Sequence, residues 1–98
     1  MDYQTLLSEI TTRAAKAAPI GNTLKFDFKD GDVIYLDGSG DENAVSSEDK
    51  ESDCTIKITK DNLGKLLDGS LNPMMAFMGG KVKVDGDLGV AMKLQSLV

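Results

Sequence analysis

Apolar and polar residues alternate with a period of two over several short stretches, and recur at three and four residues over most of the remainder. In residues 23–29, Leu24, Phe26 and Phe28 fall on one side and Thr23, Lys25, Asp27 and Lys29 on the other, which predicts a half-buried strand. Asp30-Gly31-Asp32 turns the chain, and residues 33–37 complete a hairpin. Its buried face stays open, because Ile34 and Leu36 alternate with Val33 and Tyr35. Residues 43–47 suit a short polar edge strand. Further on, Cys54, Ile56 and Ile58 point inward against Thr55, Lys57 and Thr59, and Val82 and Val84 repeat the design in residues 81–85.

Helical spacing fills the gaps. Tyr3, Leu6, Leu7, Ile10, Ala14, Ala17 and Ala18 form one stripe over residues 2–18, with Glu9 and Arg13 a turn apart. Asp61 is expected to cap a short helix carrying Leu63, Leu66 and Leu67 up to Gly69. Gly64 inside it costs roughly 1 kcal/mol relative to alanine and suits close packing. Asn72 then caps a helix with Pro73 at its first position, and Gly79-Gly80 ends it. Met74, Met75, Phe77 and Met78 make that helix apolar over most of its surface. A core plug and the lining of an apolar pocket both account for such a segment. After the Asp85-Gly86 turn, Asp87 caps a final helix in which Leu88, Ala91, Met92, Leu94, Leu97 and Val98 cover a wide arc. The order of elements predicts an α+β domain spanning residues 1–98, its sheet wet on one face and covered by helices on the other.

Composition narrows the chemistry. A chain of 98 residues, 41% hydrophobic, has room for one core. Histidine is absent and Cys54 is the single cysteine, so the usual general base, a Cys-His pair and an internal disulfide are all excluded. No phosphate-binding glycine loop occurs, and Asp85 and Asp87 are already engaged in a turn and a cap. No cofactor, no metal and no enzymatic activity are therefore expected. Sixteen acids against eleven bases give a net charge of −5, which argues against nucleic acid. Ten acids and two lysines fall in residues 27–53, a local −8, without the spacing of a calcium loop. Four of the five methionines lie between residues 74 and 92, flexible side chains that suit either a pocket for varied apolar ligands or a plain core with awkward gaps.

Asp53-Cys54-Thr55-Ile56-Lys57-Ile58, Asp68-Gly69-Ser70-Leu71-Asn72-Pro73, Ala76-Phe77, Gly79-Gly80-Lys81-Val82-Lys83-Val84, Gly86-Asp87 and Ala91-Met92-Lys93-Leu94 together resemble the sterol carrier protein-2 (SCP-2) domain. The resemblance implies a five-stranded, mostly antiparallel sheet with helices over one face and an apolar tunnel between them. It implies binding of fatty acids, fatty acyl-CoA, sterols or phospholipids, which are carried or presented to a partner. Met74, Met75, Phe77, Met78, Val90, Leu94 and Leu97 match segments that border the tunnel, with Leu24, Phe26 and Ile56 as walls on the sheet side. An accessory module serving a partner enzyme, and a structural domain without a cavity, are the alternatives. An exposed apolar mouth suits transient membrane contact or a homodimer. Tyr35 stands where many relatives carry tryptophan, and the end at Ser96-Leu97-Val98 lacks a peroxisomal Ser-Lys-Leu tail, so a cytoplasmic protein is expected.

Overall fold

The computed structural model describes residues 1–97. The elements run α1 (Tyr3–Lys16), β1 (Thr23–Asp27), β2 (Val33–Asp37), β3 (Ala44–Ser46), β4 (Cys54–Lys57), α2 (Lys60–Asp68), α3 (Pro73–Met78), β5 (Lys83–Gly86) and α4 (Leu88–Met92), then a 3-10 turn (Lys93–Ser96). The strands form one sheet in the order β3-β2-β1-β4-β5, antiparallel except between β1 and β4. This is the α+β, mostly antiparallel architecture that the pattern and the resemblance predict.

Register explains where the core sits. Ile34 pairs with Phe26, Phe26 with Ile56, and Ile56 with Val84, so four apolar side chains make one row across β2, β1, β4 and β5. A second row joins Leu36, Leu24 and Cys54. Both rows meet the buried stripe Leu6, Ile10 and Ala14 of α1, Leu63, Leu66 and Leu67 of α2, and Val90 of α4 in one cluster. Arg13 ties the layer together by donating to the Leu67 carbonyl at 2.6 Å.

The local signals act largely as elementary chemistry requires, with some shifts. Asn72 Oδ1 accepts from the Met74 and Met75 amides at 2.9 and 3.3 Å, satisfying donors that a helix start leaves free. Thr59, not Asp61, caps α2, its hydroxyl accepting from Asn62 at 3.1 Å. Both residues are capping types, and the chain leaves β4 close enough for the earlier one to serve. An added Cβ at Gly64 would lie 3.4 Å from Met1, an ordinary van der Waals contact, so the packing there does not require glycine. The final helix is short and tightens into the 3-10 turn after Met92.

The outer face of the sheet is less wet than its alternation implies. The segment after β3 runs back across it, with Tyr35 Oη donating to the Glu51 carbonyl at 3.1 Å and Lys25 pairing with Asp49 at 2.8 Å. Val33 and Tyr35 are buried on one face while Ile34 and Leu36 are buried on the other.

Candidate functional site

The apolar row across the sheet outruns the helices that cover it. At the β5 edge, α3 stands off from α4 and the 3-10 turn, and a cavity of about 350 Å³ lies between them. Ile56, Val82 and Val84 form its floor, with Leu66 from α2 beside them. Pro73, Met74 and Phe77 form one wall, and Leu88, Gly89, Ala91, Met92, Leu94 and Gln95 the other. Gln95 is the single polar side chain in this lining. Its Nε2 donates to Met74 Sδ at 3.4 Å.

Helical spacing decides how α3 divides its side chains. Ala76 is fully buried against the core. Met74 and Phe77, three residues apart, turn to the cavity and are 49% and 46% exposed, because the cavity opens to solvent there. Met75 and Met78, on the next stripe, point outward and are 69% and 81% exposed.

Of the residues expected at the tunnel, the structure brings Ile56, Met74, Phe77 and Leu94 together around the cavity. Leu24 and Phe26 belong to the packed core instead, since β1 is the central strand and the helices close over it. Val90 and Leu97 are also buried in that cluster and hold their segments down. Met75 and Met78 lie outside the lining. Leu66, Val82, Val84, Leu88, Ala91 and Met92 line the cavity although the sequence marks them only as ordinary core or helix-face positions.

The far wall is held by Lys93, whose Nζ donates to the Ile20 carbonyl at 2.6 Å and to Asn22 Oδ1 at 2.7 Å. Asp87 caps α4 through the Gly89 amide at 2.8 Å. Neither carboxylates nor ammonium groups line the cavity. Cys54 is buried two residues from Ile56, and burial, with the charges of Asp87 and Asp85, pushes its thiol up to about 11. That leaves it protonated and inert at neutral pH. Among the described residues no cluster of three or more His, Cys, Asp or Glu side chains could hold a metal ion. The arrangement offers shape and apolar surface, suited to holding a greasy chain.

Comparison with known proteins finds relatives in both sequence and fold. The model of the SCP-2 sterol transfer family matches residues 3–98. Sterol carrier protein 2 of Oryctolagus cuniculus is 40% identical over 86 residues, covering 80% of this chain and 15% of that protein. The chain thus spans only a small part of such relatives. Among solved structures, sterol carrier protein 2 like 2 of Aedes aegypti covers 97% of this chain and 94% of its own, with a TM-score of 0.76 at 17% identity. The palmitated form of that mosquito protein gives a TM-score of 0.76 at 19% identity, over 96% of this chain and 91% of its own. At such identities the likeness speaks for the fold.

Proposed function

This chain belongs to the SCP-2 sterol transfer family, and from that footing we propose that it binds the acyl chain of a fatty acid or related lipid in the cavity between α3 and α4 and carries it. The observation that supports this is an apolar hollow of about 350 Å³ at the sheet edge. At a volume near 30 Å³ for each water-sized group, that space takes roughly ten methylenes. Each buried methylene contributes about 0.8 kcal/mol, so a chain that fills it gains on the order of 8 kcal/mol against ordering costs of several kcal/mol. Burial in the cavity alone thus leaves about millimolar binding, and the micromolar level expected for a long-chain fatty acid needs the further apolar contact that the rim methionines make by folding over the chain.

Size separates the ligand classes. A sterol is bulkier and rigid, and would project through the open mouth. An acyl chain enters by part of its length and leaves the rest outside. The carboxylate or other head group would meet Gln95 and water at the mouth. Fatty acyl-CoA is less well served, because its phosphates find no lysine or arginine in the lining. The domain acts by burial and release, not by catalysis, and its lone cysteine fits the reducing cytoplasm.

A second reading rests on length. The rabbit relative devotes most of its chain to something other than this domain. The same cavity could therefore present a bound chain to a partner enzyme. Titration with a fluorescent long-chain fatty acid tests the binding common to both readings. Saturable binding above a heat-denatured control is expected, and its absence would remove the carrier reading. Movement of that lipid between donor and acceptor vesicles then separates carriage from presentation.

A further inference from the structure

We infer that the cavity prefers an unbranched chain ending in a hydroxyl to one of equal length ending in a carboxylate; this rests on the carrier reading and narrows its ligand. The lining is graded. Ile56, Leu66 and Leu94 are buried and close the inner side, whereas Met74, Phe77, Leu88, Met92 and Gln95 are exposed. A chain therefore enters methyl end first, and its head comes to rest among the exposed group. Gln95 is the polar side chain there, and its Nε2 donates to the Met74 thioether at 3.4 Å. A thioether is a weak acceptor, so a hydroxyl oxygen can take its place at a gain. The amide oxygen of Gln95 can accept the hydroxyl proton in return, which an ionised carboxylate does not offer.

Charge acts against the carboxylate. Asp87 Oδ1 accepts from the Gly89 amide at 2.8 Å, and a Cβ added at Gly89 would lie 3.1 Å from it, so a carboxylate already stands against a residue of the lining. The cations nearby do not answer it. Lys93 Nζ is turned to the Ile20 carbonyl and to Asn22 Oδ1, at 2.6 and 2.7 Å. Lys57 and Lys83 are paired in register and alternate with Ile56, Val82 and Val84, so they lie on the sheet face away from the cavity. Asp85 shares that face, 4.0 Å from Lys57. Lys65 pairs with Asp61 at 3.5 Å, and Lys81 is exposed outside the lining. A carboxylate head thus meets a fixed negative charge without a cation in the lining, and keeps its own water outside the apolar lip. A hydroxyl gives up its water at less cost and lets the chain settle deeper.

The test displaces a fluorescent long-chain fatty acid with dodecanol and with dodecanoate, near pH 8 where the acid is ionised. Dodecanol is expected to half-displace the probe at about a tenth of the dodecanoate concentration. Gln95→Met removes the amide and keeps the length of the side chain, and should shrink that ratio about fivefold. Gln95→Lys places an ammonium at the mouth and should invert the order in favour of dodecanoate. A preference for the alcohol that is the same in wild type and in both variants overturns the inference, because the greasier ligand alone would then account for it. Dodecanoate that displaces the probe as well as dodecanol does in the wild type also overturns it, and leaves the carrier reading standing. If the wild type binds neither the probe nor dodecanol, the carrier reading falls and the inference with it.

Discussion

Gln95 Nε2 donates to Met74 Sδ across 3.4 Å, joining the 3-10 turn to α3 over the cavity. A thioether is a weak acceptor, so this bridge can open without much cost. Gln95→Ala is expected to lower stability by less than about 1 kcal/mol while speeding fatty-acid dissociation about two- to fivefold. Urea unfolding and stopped-flow displacement measure the two effects. An unchanged dissociation rate would place the gate elsewhere.

Placement along α3 gives a sharper contrast. Met74→Asp puts a carboxylate into an apolar lining and is expected to weaken fatty-acid binding at least about tenfold. The fold is not at risk, because an acid in the first turn suits the positive end of the helix. Lys83→Asp, outside the lining on exposed β5, should change affinity less than about twofold. Equal losses in a titration would contradict the assigned wall.

Gly86 tests how β5 is held. It has φ 111°, and an added Cβ would lie 2.6 Å from the Asp53 carbonyl oxygen and 3.2 Å from Cys54 Cα. Gly86→Ala is expected to cost about 2–4 kcal/mol, combining an unfavourable backbone angle with a clash against backbone. Gly40→Ala, whose Cβ meets nothing within 4 Å, should stay within about 0.5 kcal/mol. Thermal or urea unfolding of the pair decides it.

Cys54 gives a pH dependence of known sign. Burial, and then the charges of Asp87 and Asp85, raise its thiol from 9.0 to about 11. The unfolded chain loses that proton first, so between these values it holds fewer protons than the folded one. Stability from this source is whole below pH 9 and is lost as pH rises toward 11. Wild type should lose on the order of 2 kcal/mol more than Cys54→Ala across that window. Parallel pH profiles would show that the thiol is not the group responsible.

How far the fold could be read from the sequence depended on which residues carried contrast. The alternation of Leu24 and Phe26 with Thr23 and Lys25, and the Asn72-Pro73 cap, named β1 and the start of α3 directly. In β2 all four apolar residues are buried, Tyr35 beneath the polar segment whose Glu51 carbonyl its hydroxyl reaches, and nothing in that segment announces where it lies. The site was legible in part for a similar reason. α3 is apolar all round, so its period could not tell Met74 and Phe77, which face the cavity, from Met75 and Met78, which do not. Val82, Val84 and Leu66 look like any core residue until the helices are seen to stop short of the β5 edge.

The five methionines supply the most direct test of the cavity itself. Met74 and Met92 line it, while Met1, Met75 and Met78 do not. With the methionine methyl groups labelled with carbon-13, addition of dodecanoate should move the Met74 and Met92 signals together and saturably, leaving Met1, Met75 and Met78 nearly in place. Signals of Met75 and Met78 that shift while Met74 and Met92 stay fixed would contradict the account, because the lipid would then be held outside the hollow between α3 and α4.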